Sequence, residues 1–337
     1  MIFQGWLKRV LIVCLLCFCA VTADCQDFKV SGSLVIEELG VKKKFTQRFD
    51  VTVSGARILI VSSNTDAHSG YMSPSPVGGF VPHTNETDRL ETEMGIENGT
   101  MYRLTRIYSK DGCKISAKID YAPEMPDPEV NGIHYLWFAF GSSSYFQSQT
   151  GHFLKPLWGF DDPKLNEEGF KMRAYWSRNE HPPFLPKQVA YYFDGTLRYR
   201  ITDVPFPHFA PAPWNKGFTN FTYNEISSTN FGGIQIPTEF EFVRYGFGEG
   251  LGLHKIEFIS GKVDEFEPGV SVSDFKPAYT GEIAIFDKRF ARSGPPVNDL
   301  TFPARDGKWE SPDIEKIYRR DVKEQIEENS PRSNHHQ

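Results

Sequence analysis

The stretch SKDGCKISAKIDYAP (109–123) decides the fold class. Ile115, Ala117, Ile119 and Tyr121 alternate with Lys114, Ser116, Lys118 and Asp120, and successive side chains of an extended strand point to opposite faces. The first set is expected to be buried and the second exposed. Asp111-Gly112 supplies the positive φ that a tight hairpin turn needs, so MYRLTRIY (101–108) becomes the antiparallel partner.

The same signature recurs along the chain. Val30, Gly32, Leu34 and Ile36 alternate with polar residues, as do Phe49, Val51 and Val53, and RILIV (57–61) reads as a strand buried on both faces. KQVAYYF (187–193) and TLRYRI (196–201) flank Asp194-Gly195 as a second hairpin. Further strands are expected at GIHYLWFAF (132–140), GFKMRAYWS (169–177), FTNFTYNEI (218–226), IPTEFEFVRYGF (236–247), LHKIEFI (253–259) and GEIAIFDKRF (281–290). About a dozen strands with short connections predict a mainly β fold: one large antiparallel, strongly curved sheet, or an incomplete β-barrel, with a few short helices. NETDRLETEMGI (85–96) reads as one such helix and SPDIEKIYRRDVKEQIEE (311–328) as another, highly charged.

Lys8 and Arg9 precede an apolar run from Val10 to Val21, followed by Val21-Thr22-Ala23, the order of a secretory signal peptide. The expected organisation is a signal peptide at 1–23, an antiparallel β domain at 24–290, an irregular segment at 291–310, and a charged helix with a disordered tail at 311–337. Export makes the protein periplasmic or extracellular, with no membrane span in the mature chain. Cys14, Cys17 and Cys19 leave with the signal, so Cys25 and Cys113 remain as a disulfide candidate, or as two free thiols. Asp24 stands where an acylation motif requires a small residue before Cys25, which argues against a lipid anchor.

Thirty-seven basic residues less Lys8 and Arg9 leave 35 against 43 acidic, a net charge of −8. A nucleic-acid partner, which would call for clustered Lys and Arg, is not expected. G-x-S-x-G, H-E-x-x-H and P-loop patterns are absent, and the histidines show no metal-ligand spacing, so neither metal nor cofactor is expected. Asp161, Asp162 and Glu180, in loops beside aromatic residues, are the carboxylates that a secreted carbohydrate-active hydrolase would use.

Aromatic residues make up 14% of the chain and concentrate between 134 and 193. Trp137, Trp158, Phe170, Met172, Trp176 and Tyr199 are the candidate lining of an apolar ligand site, against an ordinary core filled by the same side chains. The leading reading is therefore a non-enzymatic binder or carrier of a lipid, acyl chain or lipoprotein. A structural or interaction protein of the cell envelope is the second reading, and the hydrolase the third.

FDVTVSGARILIV (49–61), the YSKDG turn (108–112) and GGIQIPTEFEFVRY (232–245) resemble the LolA-like, outer-membrane lipoprotein-sorting group over residues 28 to 260. That resemblance implies an incomplete antiparallel barrel whose mouth is covered by helices and whose aromatic and aliphatic interior holds acyl chains. DKRF (287–290) and DGKW (306–309) are similar to segments of uncharacterised secreted bacterial proteins.

Overall fold

A computed structural model describes residues 27–39, 42–64, 72–74, 80–82, 89–110, 112–121, 133–143, 153–154, 171–194, 217–248, 252–270, 272–289 and 300–329. The expected signal peptide and Cys25 lie outside the described residues. No described helix is long and apolar enough to cross a membrane.

The strands are β1 (Phe28–Glu38), β2 (Lys43–Ser54), β3 (Arg57–Asn64), β4 (Met72–Pro74), β5 (Phe80–Pro82), β6 (Arg89–Glu97), β7 (Thr100–Ser109), β8 (Gly112–Tyr121) and β9 (Phe153–Leu154). They continue with β10 (Lys171–Arg178), β11 (Pro186–Asp194), β12 (Phe218–Phe231), β13 (Ile234–Gly248), β14 (Gly252–Pro268), β15 (Glu282–Asp287) and β16 (Leu300–Arg305). The helices are α1 (Ile133–Gly141) and α2 (Ile314–Asn329). Fourteen strands form one unclosed sheet in the order β16-β15-β8-β7-β6-β3-β2-β1-β14-β13-β12-β11-β10-β9, while β4 and β5 pair separately. Two meanders thus meet where the first strand pairs with β14, from Phe28 opposite Pro268 to Glu38 opposite Glu257.

The sheet curls around α1. This nine-residue helix is about 13 Å long, whereas β3 and β13 are four strand spacings apart, about 19 Å along a flat sheet; α1 packs against both. At the floor of the trough, Gly32 and Gly261 leave out side chains. A Cβ on Gly261 would stand 2.1 Å from the Phe240 ring, and one on Gly32 would stand 2.7 Å from the Phe49 ring. Those two rings then receive Phe140 of α1, with centroids at 6.1 Å to Phe49 and 5.6 Å to Phe240. The first core gathers here, from Phe28, Val30, Leu34 and Ile36 through Val51, Ile60 and Met94 to Tyr223, Phe240 and Phe242.

A second core lies on the convex face. Residues 272–279 cross it where Gly95 lets the Phe275 carbonyl approach: a Cβ there would meet that oxygen at 1.7 Å. Arg57 covers the buried Phe275 ring at 4.6 Å. Trp309 is the anchor, donating its indole N–H to the Pro277 carbonyl at 2.8 Å and packing edge-on against Tyr102 and Tyr279. The Tyr279 hydroxyl donates to the Lys308 carbonyl at 2.7 Å. Buried Asp287 accepts two bonds from the Arg289 guanidinium. Through Trp309 and the Lys288 N–H, which donates to the Ile119 carbonyl at 2.9 Å, the DKRF and DGKW segments fasten the C-terminal part of the chain to the sheet.

Several expectations change. Residues 89–97 are strand, not helix: Leu90, Thr92, Met94 and Ile96 point inward, while Glu91 accepts from the Tyr108 hydroxyl at 3.1 Å and Glu93 is paired with Arg106. IHYLWFAF (133–140) is helix, not strand, and every residue from Ile133 to Phe140 is buried, as a helix with apolar residues on most of its surface requires. The sheet is mixed, since β15 runs parallel to β8, and the segment expected to be irregular contributes β16. Ala117 and Ile119 are buried, but Ile115 and Tyr121 are 40% and 45% exposed. β15 pairs with β8 only from Ala117 to Ile119 and leaves both ends of that face uncovered. β11 pairs with β10 and β12, and residues 196–201, its expected hairpin partner, lie outside the described residues.

Gly261→Val forces a branched side chain into the Phe240 ring and should cost about 1–3 kcal/mol, whereas Lys262→Ala, on the exposed face, should stay within about 0.5 kcal/mol. Trp309→Ala should cost about 3–5 kcal/mol by emptying the convex core. Urea unfolding midpoints measure all three.

Candidate functional site

The concave trough is built by alternation along four strands and by one helix. Within β12, Phe221 and Tyr223 turn inward, opposite Arg244 and Phe242 of β13. β13 in turn places Phe242 opposite Ile259 and Arg244 opposite Glu257 of β14. Onto this surface α1 lowers Phe138, which lies edge-on to Tyr191, Phe221, Tyr223 and Phe242 at centroid distances of 6.3, 5.8, 5.3 and 5.9 Å. Offset and edge-to-face arrangements match the ring quadrupoles.

Two polar features interrupt the apolar surface. Tyr135 of α1 stacks on Phe221 at 6.0 Å and donates its hydroxyl to buried Glu257 at 2.7 Å, while Arg244 Nε stands 3.7 Å from the same carboxylate. Burial raises the Glu257 pKa, opposed by the Arg244 charge and the Tyr135 bond. The Tyr223 hydroxyl, fully buried among the rings, has no hydrogen-bond partner among the described residues. Burial likewise raises its pKa well above the ordinary tyrosine value.

The expected lining residues divide. Trp137 is buried on α1, not on a strand. Trp176 lies on β10 opposite Val189, half-buried against the same core, and Met172 lies on that strand opposite Phe193. Trp158, Phe170 and Tyr199 fall outside the described residues. Cys113 is an exposed free thiol, and its expected partner Cys25 is not among the described residues. Asp161 and Asp162 are also outside them, and Glu180 is exposed between β10 and β11.

Phe221, Tyr223, Phe240, Phe242, Arg244 and Glu257 were not among the expected site residues. For Phe240, Phe242 and Arg244 the signal was the alternation in TEFEFVRY (238–245), and for Phe221 and Tyr223 the FTY at 221–223; Glu257 lies in LHKIEFI (253–259), where its role depends on the cross-strand register. An open depression of about 440 Å³ between β15 and β16, lined by Glu282, Ile283, Ala284, Thr301, Phe302 and Pro303, lies near the far edge of the sheet. Glu282 is its one charged lining residue, so it offers no converging set of polar groups. No group of three or more potential metal ligands occurs among the described residues.

No protein-family model matches the chain, and neither does any curated protein. In structure it is similar to an outer membrane lipoprotein-sorting protein domain from Vibrio parahaemolyticus, at 9% identity and a TM-score of 0.34 over 75% of this chain and 89% of that one. It is also similar to a LolA superfamily protein from Nitrosomonas europaea, at 8% identity and a TM-score of 0.30 over 72% and 86%. A DUF1329 family protein from Desulfovibrio piger matches at 10% identity and a TM-score of 0.26 over 75% and 89%. At these scores the likeness is loose.

Folding favours the protonated form of Glu257, because burial raises the folded pKa above the unfolded one. Its contribution is fully present below the unfolded carboxylate range and is lost as pH rises through the folded value. Glu257→Gln keeps an acceptor for Tyr135 and removes this titration. The variant should gain stability relative to the native chain as pH rises from about 4 to about 8, with the gain read as a difference in urea midpoints. A constant difference across that range would contradict the assignment.

Proposed function

We propose that the protein is an exported, non-enzymatic carrier that binds a lipid or another apolar ligand on the concave face of its sheet. One observation supports this reading: an unclosed sheet curls into an aromatic and aliphatic trough, and the helix lying in it is apolar apart from His134 and the Tyr135 hydroxyl. A helix apolar over most of its surface must be enclosed, and α1 provides a second wall for a chain-like ligand. The buried, unpartnered Tyr223 hydroxyl adds a polar point inside the trough, in keeping with sites that combine apolar lining with a few fixed polar groups. The signal-peptide pattern of residues 1–23 supports export to the periplasm or beyond.

The rung Trp176–Val189–Tyr223–Phe242 runs across β10 to β13 as a continuous apolar row, covered at Tyr223 and Phe242 by Phe138 of α1 and half-exposed only at Trp176, where an acyl chain would enter beneath the helix. Arg244 and Glu257 pair with each other across neighbouring strands at one end of the trough, which leaves its central part uncharged.

Native mass spectrometry of the gently purified, exported protein should show a co-purifying apolar adduct. Oleate should quench tryptophan fluorescence saturably at micromolar concentrations, and Trp176→Ala should weaken that binding about tenfold through lost apolar contact. No adduct together with no saturable quenching would refute the carrier reading in favour of a filled structural core.

A further inference from the structure

The concave face is graded in polarity along a single rung. Phe240 of β13 stands opposite Gly261 of β14, Gly261 opposite Leu34 of β1, Leu34 opposite Gln47 of β2, and Gln47 opposite Asn64 of β3. The lining thus passes from aromatic, through small and aliphatic, to carboxamide. The next rung does the same, from Gly32 through Phe49 to Ser62 of β3 and Thr92 of β6. Gln47, Ser62, Asn64 and Thr92 form a corner of neutral hydrogen-bonding side chains, all buried on the face that otherwise holds the apolar core.

One polar atom of this corner is left over by the packing. Ser62 donates to the Gln47 carboxamide oxygen at 3.3 Å, a long bond. The Asn64 side chain, only 7% exposed, has a carboxamide oxygen with no hydrogen-bond partner among the described residues. A buried acceptor left unpaired is costly. A donor brought by a ligand would satisfy it, and a hydroxyl is the simplest donor that also accepts from its neighbours.

We infer that this corner receives the uncharged, hydroxyl-bearing head of an amphiphile whose acyl chain lies in the trough, as in a monoacylglycerol or a glycolipid. The inference rests on the carrier reading and names its ligand class. An anionic head fits less well, because the four side chains carry no charge and burying an anion without a paired cation is expensive. The nearest cation by register, Arg103 of β7, stands opposite Met94 one rung further on and already has a partner, while Lys114 and Lys118 lie a strand beyond on β8, where Lys114 is exposed to solvent. Phe140 packs on Phe49, the residue two along β2 from Gln47, so α1 runs beside the corner and head and chain remain continuous.

The test titrates the full exported chain, by tryptophan fluorescence, with two probes that share one acyl chain: 1-monooleoylglycerol and oleate, each kept below its aggregation threshold. Monooleoylglycerol should bind about tenfold tighter, the size of one or two buried hydrogen bonds. Asn64→Leu and the isosteric Thr92→Val should each bring the ratio of the two Kd values towards one, with the oleate Kd unchanged. Circular dichroism establishes that each variant is folded, and Thr92→Val carries the test should Asn64→Leu fail to fold. Equal affinities for both probes, tighter binding of oleate, or a ratio unaffected in the folded variants would overturn the head-group inference and leave the carrier reading standing. Binding of neither probe would overturn the head-group inference, and together with no co-purifying adduct in the native mass spectrum it would overturn the carrier reading as well.

Discussion

Everything on the concave side depends on the seating of Phe140 between Phe49 and Phe240. Those two rings belong to β2 and β13, which are separated in the sheet by β1 and β14, and one side chain touches both. The contact is possible because Gly32 and Gly261, on the intervening strands, put no Cβ beneath the rings. A side chain at either place would lift its ring and flatten the curl that encloses α1. Curvature, helix position and trough therefore share one cause, and it is steric.

The two faces of the sheet divide their roles. On the convex side Trp309, Tyr279 and Tyr102 are held by direct hydrogen bonds, including Tyr102 to Glu310 at 3.1 Å; burial, reinforced by that carboxylate, pushes the Tyr102 pKa up to about 12. On the concave side, buried polar atoms of Tyr223 and Asn64 have no partner among the described residues. Satisfied polar groups rigidify a core, whereas each unsatisfied one calls for an explanation of its own.

Most of the sheet was legible in the sequence wherever alternation was strict, as at Val30 to Ile36 and Phe49 to Val53. IHYLWFAFG was not legible, because an unbroken apolar run has no period and fits a buried helix as well as a buried strand. Residues 89–97 misled for the opposite reason: their acidic residues resembled a helix surface, but Glu91 and Glu93 are matched by Tyr108 and Arg106 on the next strand. Such non-local partners cannot be read from a local window. For the site, the density of aromatics near 134–201 drew attention to Trp137 and Trp176, whereas the rings around Phe138 come largely from β12 and β13. Nothing local in Gln47, Ser62, Asn64 or Thr92 shows that they share a corner; only register brings them together.

The pairing of the first strand with β14 constrains how the molecule comes into being. β1 lies in the middle of the sheet, yet one of its edges is completed by residues near the end of the β14 segment, with Phe28 opposite Pro268. Until that late segment arrives, the early meander presents a long apolar strand with unpaired backbone groups, the template for mispairing and aggregation. Such non-local closure is also slow. A chain that crosses a membrane before folding meets this hazard on the far side, where its safety depends on how quickly the second half follows the first.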